Sequence, residues 1–318
     1  MMRKIVLLFF FIYFSTGVVK AQETLPFYQQ YLMDGDFLFN PALYGKTDKV
    51  VLNLNYQKQF SNFDESPNVQ SIGAHANVVD RLGVGAAFFR DSNGPISANG
   101  VTLGASYFIP IADDGERQNQ FSFGTSFSAY NMNIDWAKLN PVDEGDPNLY
   151  TENGIFLLYA NIGMSAQYSN FFGGVSVMDI PISNDIPIVN GIEPQPTKIY
   201  LNAGYDYYIG ESFFVTPSVM MNLNTNSSRM MDFNLMANAK GDENSFGGGV
   251  SFRSIKNRFG NQNLSFSPVI KGNIGNFTFG AAYNFGMSDI KEYGGNSFML
   301  SVGFTVDNFI NTRGFRYR

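Results

Sequence analysis

The chain has no cysteine and one histidine, His75, in 318 residues. The first absence removes a disulfide framework, thiolate metal sites and an N-terminal lipidation cysteine. The second leaves no pair of imidazoles for a metal site and closes catalysis through histidine. Charge is scarce as well, at 15% of residues, and acidic groups outnumber basic ones by 27 to 21. Such a balance argues against a nucleic-acid partner. No Gly-x-Ser-x-Gly elbow occurs, and the run Gly247-Gly248-Gly249 lies in a strand-like stretch with no following Lys or helix to cradle phosphate. The loop from Pro141 to Gly154 holds Asp143, Glu144, Asp146 and Glu152, oxygen ligands of the kind Ca²⁺ takes, but not at EF-hand spacing, so it reads as a solvated loop. The expectation is a non-enzymatic chain without cofactor or metal.

Long apolar runs are missing too, except at the start. Arg3 and Lys4 precede an apolar run from Ile5 to Phe14, and Val19 and Ala21 stand before a break, the form of a secretory signal cleaved after Ala21. Its loss takes away Arg3, Lys4 and Lys20, leaving 18 basic residues against 27 acidic. Nothing downstream offers the run of about 18 apolar residues that a spanning helix needs.

What the chain does have is aromatics, 16% of residues, and 32 glycines, set out in a period of two. Phe298, Leu300, Val302, Phe304 and Val306 share one face of a strand, with Ser301, Gly303, Thr305 and Asp307 between them. Phe277, Phe279, Ala281, Tyr283 and Phe285 repeat the arrangement. Similar segments start near Lys49, Gln70, Leu82, Ser97, Gln120, Phe156, Phe171, Lys198, Phe213, Met230, Phe246, Gln262, Phe277 and Ser297. About fourteen strands with one greasy face and one small, polar face predict an all-β fold, a transmembrane antiparallel β-barrel. On this alternation His75 points inward, while Ile72, Ala74 and Ala76 point to lipid. The domains expected are a signal peptide (1–21), an irregular aromatic segment (22–48), the barrel (49–309) and a basic tail (310–318).

Connectors alternate in length. Asp80-Arg81, Ser169-Asn170, Gly210-Glu211, Gly241 to Asn244 and Asn273 to Asn276 are short. Lys58 to Val69, Asn131 to Gly154, Asp179 to Pro196, Arg253 to Asn261 and Met287 to Asn296 are long, whereas Ile109 to Asn119 and Asp91 to Ile96 break the rhythm. Short periplasmic turns and long outer loops would put both termini in the periplasm and the protein in the outer membrane, in contact with its lipid. Pro217 and Pro268 fall inside strands, where a bulge at each is expected.

Between leader and barrel stands TLPFYQQYLMDGDFLFNPALYG (Thr24 to Gly45), aromatic but without alternation and carrying Gly35 and Pro41. It suits neither a strand nor a long helix, and reads as a segment pinned by its rings against or inside the barrel, with the Asn40-Pro41 step turning the chain into the first strand. Tyr28 and Tyr31, the Asn40-Pro41-Ala42 triplet and Gly45 resemble the start of the mature PorP/SprF proteins, outer-membrane components of the type IX secretion and gliding systems of Bacteroidetes. NYQKQF with SPNVQ (Asn55 to Gln70), GVGAAFFRDSNGPIS (Gly83 to Ser97) and GASYFIPI (Gly104 to Ile111) follow that family's order, with Phe60 where Trp is commoner. These motifs span roughly the first third of the chain. FTVDNF (Phe304 to Phe309) resembles the aromatic-ended signal read by the barrel-assembly machinery.

The resemblance implies a barrel that exports or holds secreted surface proteins, with an occluded lumen. Its implied partners are type IX substrates or adhesin C-terminal domains, together with periplasmic and lipoprotein components of the secretion and gliding machinery. It nominates Tyr28, Tyr31, Asn40, Pro41 and Gly45 as structural or partner residues. The proline-rich Asp179 to Pro196 loop and the Asn131 to Gly154 loop are the surfaces expected to meet an exported protein. Two other readings share the pattern: an outer-membrane channel for small solutes or fatty acids, and a soluble secreted β-sandwich adhesin.

Overall fold

The computed structural model describes residues 29–62, 65–113, 118–135, 138, 154–182, 196–225, 229–241, 243–257, 260–287 and 294–311. The expected signal peptide, Tyr28, the acidic 141–153 stretch, the 183–195 stretch and the tail from 312 lie outside the described residues.

Fifteen strand segments follow three short 3₁₀ turns. They are β1 (Lys49–Lys58), β2 (Asn68–Val79), β3 (Leu82–Asn93), β4 (Ile96–Asp113), β5 (Gln118–Ile134), β6 (Gly154–Tyr168), β7 (Phe171–Pro181) and β8 (Lys198–Tyr205). After these come β9 (Tyr207–Tyr208), β10 (Phe213–Asn224), β11 (Arg229–Lys240), β12 (Asn244–Asn257), β13 (Gly260–Ile274), β14 (Phe277–Gly286) and β15 (Ser297–Asp307). β9 continues the line of β8 past Asp206, so fourteen positions make up the wall. Every neighbour pairs antiparallel, and β1 pairs with β15 from Lys49↔Asp307 to Lys58↔Phe298, which closes the sheet on itself. A closed ring leaves no edge in the membrane, and it excludes two stacked sheets and the β-sandwich reading with them.

Side chains alternate as the period requires. On β1, Asn53, Asn55 and Gln57 are buried while Leu54 between them is exposed outside. Along β15, Met299, Ser301 and Gly303 are buried and Leu300 and Val302 face out. His75 is inward and buried; Ile72 is exposed, but Ala76, expected at the lipid, is buried. Rings gather at both ends of the outer face. Near the short turns, Tyr107 meets Phe123 at 5.7 Å, Phe171 meets Tyr205 at 4.4 Å and Phe277 meets Phe304 at 4.9 Å. Near the long loops, Tyr56 meets Phe298 at 5.9 Å and Tyr283 meets Phe285 at 4.8 Å. Phe277 and Phe285 end one greasy face of β14, which at about 3.4 Å per residue and a tilt near 40° puts the girdles about 20 Å apart, close to the height of an apolar band.

Three expectations change. No bulge falls at Pro217 or Pro268. Pro217 pairs in register with Leu235, and on its other side the ladder has a gap and resumes in the same register at Val215↔Tyr207. Pro268 pairs with Val250 and leaves a like gap toward β14. A missing N–H deletes ladder bonds on one side only, and the neighbours hold the register. The bulges sit instead at Asn77/Val79, Pro110/Ala112, Ala160/Ile162 and Arg253/Ser254. The Arg253 to Asn261 loop is mostly strand, because β12 and β13 pair as far as Asn257↔Gly260. Strands also outrun the expected ten residues, reaching 18 in β4 and 17 in β5.

Phe127 lies midway along β5 and is 59% exposed on the outer face. Phe127→Arg should cost about 2–4 kcal/mol, as charge does at a bilayer midplane. The expected outcome is a lower urea midpoint in lipid vesicles, with Asn261→Arg, at the exposed hairpin end, leaving the midpoint unchanged.

Candidate functional site: a segment seated in the lumen

Residues 29–45 lie inside the barrel as three single 3₁₀ turns, Gln29–Leu32, Asp36–Leu38 and Pro41–Leu43. The turn at Pro41 is built from its own sequence. Proline forces the preceding residue into extended backbone, and Asn40 has φ −147 and ψ 107. In that conformation the Asn40 side-chain oxygen accepts the Ala42 N–H at 2.9 Å, an N-cap, while Pro41 stands at the first turn position, where an N–H is not needed. The cap's amide nitrogen is then free to reach the wall, donating to the Met164 carbonyl at 2.9 Å. Asn40-Pro41 thus opens a turn and does not itself lead into β1. The reversal toward the strand comes at Gly45, with φ +65, whose N–H donates to His75 Nδ1 at 3.1 Å. The single histidine of the chain is a wall group that receives the end of this segment.

Close approach is possible because the wall lacks side chains where the segment touches it. A methyl on Gly124 would stand 2.3 Å from the Pro41 carbonyl oxygen, one on Gly163 2.0 Å from the Asn40 side-chain oxygen, and one on Gly85 2.1 Å from the Tyr44 ring. Gly83 would meet the Tyr44 carbonyl at 1.9 Å. The Ser106 and Ser176 hydroxyls donate to the carbonyls of Tyr44 and Phe39. Phe37, fully buried, packs edge-on to His75 at 4.8 Å over Gly73. Met33 joins Met236, Val269, Ala282 and Met299 in an apolar cluster within the lumen.

Polar contacts fix the other end. Gln30 donates to Gln57 at 2.8 Å, and the Tyr31 hydroxyl donates to Asp232 at 2.8 Å. Asp232 is held in turn by Arg253, whose Nε and Nη2 each lie 2.7 Å from its two oxygens. Asp232 and Arg253 are 0% and 2% exposed, so each charge depends on the other, and the Tyr31 hydroxyl supplies a further donor. Lys46 pairs with Asp36 within the segment.

Tyr31, Asn40, Pro41 and Gly45 therefore come together in the lumen, and Tyr28 lies outside the described residues. The wall's share carries no motif: Arg253 stands at the edge of an expected loop, and Asp232 and Lys271 lie within strands. Their signal was present, since Ser251 and Arg253 flank outward Phe252 at spacing two, but a charge at a strand end reads as a loop charge.

The segment divides the interior. On the short-turn side are cavities of about 780 Å³, bordered by Leu32, Met33, Asp34 and Lys271, and about 430 Å³, bordered by Phe39, Asn40 and Lys46. On the long-loop side is one of about 180 Å³ over Gln30, Leu38, Phe39 and Tyr44. Phe39 and Tyr200, ring to ring at 5.5 Å, stand between the two sides. No cluster of groups able to hold a metal is found among the described residues.

Replacing Asn40 and Pro41 together by Ala removes the cap, the bond to Met164 and the fixed turn, a loss of about 1–2 kcal/mol in the seating of the segment. Limited proteolysis of the folded barrel should cut residues 29–45 faster in this variant, and equal rates would contradict the role given to the turn.

The sequence from residue 20 to residue 304 matches the family described as type IX secretion system membrane protein PorP/SprF. No curated protein matches the chain. Among solved structures, the fold is similar to that of a TodX monoaromatic hydrocarbon channel deltaS2 mutant, with TM-score 0.51 and 11% identity over 88% of this chain and 95% of that one. It is likewise similar to the CymD monoaromatic hydrocarbon channel, with TM-score 0.50 and 13% identity over 92% and 96%. At these identities the likeness is one of fold.

Proposed function

Because the chain belongs to the PorP/SprF family of type IX secretion system membrane proteins, we propose that this outer-membrane barrel exports or anchors secreted surface proteins, adhesins among them, and does so as a plugged scaffold without catalysis. The observation that carries the reading is the seated segment. A chain that invests a run of wall glycines, a capped turn and a buried ion pair in filling its own lumen is suited to presenting its rim to a partner, and poorly suited to steady conduction. The short turns face the periplasm in this reading, as in outer-membrane barrels generally, and the two ends of the strand series, Lys49 and Asp307, lie on that side together. Periplasmic and lipoprotein components of the secretion and gliding machinery meet that side. The chain after β15 starts on that side, where Asn311 bonds Asn77.

The cargo, a type IX substrate or an adhesin C-terminal domain, meets the opposite rim. The loops between β5 and β6 and between β7 and β8 supply it. The second holds Pro187, Pro194 and Pro196, and a backbone stiffened by proline loses less entropy on docking than a flexible one.

A channel reading has its own support in the cavities on both sides of the segment and in a fold similar to proteins named as monoaromatic hydrocarbon channels. Two measurements separate the readings. Deleting residues 183–195 with the barrel still assembled should release the co-purifying surface protein, and unchanged retention would remove the scaffold role. In planar bilayers the intact protein should show no steady conductance, and a persistent open level would favour the channel.

A further inference from the structure

Lys271 is a wall cation that holds the plug and also faces open space. It projects from β13 into the short-turn half of the lumen, borders both the 780 Å³ and the 430 Å³ cavities, and donates from Nζ to the Leu32 carbonyl at 3.0 Å. Ion pairs among the described residues join Lys46 to Asp36, Lys138 to Glu65, Lys198 to Asp179 and Arg253 to Asp232, and Lys271 is in none of them. An ammonium carries three donors, and one carbonyl satisfies one of them. Asp34, Asp206 and Asp36 favour its charge from beyond ion-pair distance, and none of them fills its two remaining donors, which leaves these to an oxygen ligand entering the cavity.

The wall is shaped to hold this side chain. A methyl on Gly247 would lie 2.6 Å from the Asn238 side-chain oxygen and 3.2 Å from both Cε and Cγ of Lys271, so the glycine leaves the space that Asn238 and the lysine stem share. Gly249, two residues on, gives the same room to Met236, beside the Met33 cluster. The triple glycine is thus the seat of a lysine and of the plug's apolar contact. Around the ammonium, the larger cavity offers Asn238, Ser245, Asn273 and Thr278, groups able to bond the second oxygen and the body of a polar ligand. Lys49 and Lys240 border it against Asp34 and Glu243, so its lining leans positive. Its volume falls within the range of sites for small molecules or a short peptide.

From this geometry we infer that the short-turn half of the lumen is a carboxylate-binding site centred on Lys271. The carboxylate belongs either to an acidic peptide segment or to a free dicarboxylic solute; the recognising chemistry is the same. Because Lys271 also holds the Leu32 carbonyl, the ligand and the plug share one side chain, and occupancy bears on how firmly residues 29–45 are seated.

The test uses the full-length mature protein in detergent micelles, titrated calorimetrically with succinate and with the blocked peptide acetyl-Asp-Glu-Asp-amide. At least one probe should bind saturably. Lys271→Met should weaken it tenfold or more, Lys271→Arg should retain most of it, and Lys58→Met, at the far end of β1, should leave it unchanged. Gly247→Ala, which crowds the Asn238 side-chain oxygen and the lysine stem without removing the charge, should weaken it severalfold and keeps the test open should Lys271→Met not assemble, as judged by heat-modifiable migration. Binding of the peptide alone assigns the site to a polypeptide partner, and binding of succinate assigns it to a solute. Absence of binding by both probes in the wild type, or equal binding by assembled Lys271→Met, overturns the inference. Neither result bears on surface-protein retention, so the scaffold reading stands or falls separately.

Discussion

Everything in this molecule depends on how near a backbone can come to a sheet. Residues 40–45 lie against β3, β4, β5 and β6 at distances no side chain would permit, and the wall supplies Gly83, Gly85, Gly124 and Gly163 at the points of contact. A glycine in a strand weakens it locally, with nothing to pack and more entropy to lose. Here the loss is offset from within, since the lumen contents provide the packing that the missing side chains do not. Wall and plug are therefore one folding problem.

The same constraint accounts for the polarity of the inner face. A barrel filled only by its own strands could line itself with Leu and Val. This one lines itself with Asn53, Asn55, Ser126, Asn161, Asp232 and Asn234, groups that bond one another, their wall neighbours and the Tyr31 hydroxyl of the plug. An irregular segment has carbonyls and amides that no ladder satisfies, and buried ones must find partners. Ser106, Ser176, His75 and Lys271 answer four of them, at Tyr44, Phe39, Gly45 and Leu32. On the outer face the rule reverses, and rings and branched side chains meet hydrocarbon over strands whose backbone is paired along the ladders apart from the proline gaps and bulges.

Much of this could be read from the sequence. The starts of all fourteen strand positions fall within two residues of expectation because each greasy face has a strict period of two and short turns punctuate it. The Thr24 to Gly45 stretch announced itself by being aromatic without that period. Other features were not legible. Pro217 looked like a bulge because local sequence does not show which side of a strand its missing N–H will face. Arg253 looked like a loop residue because its partner, Asp232, is contributed by the neighbouring strand. Lys271 gave no local hint, since the carbonyl it holds is 239 residues away in the chain. The glycines could be counted, but which of them face a plug depends on the closed barrel.

The central claim, that the N-terminal segment is seated within the assembled wall, can be tested through the chain's lack of cysteine, since one introduced thiol will be the only one. Ala42 is fully buried between plug and wall. Ala42→Cys in the assembled barrel should resist a water-soluble maleimide for as long as the protein stays folded and react promptly once urea unfolds it. Labelling in the folded state as fast as that of Asn261→Cys, at an exposed hairpin end, would contradict the account.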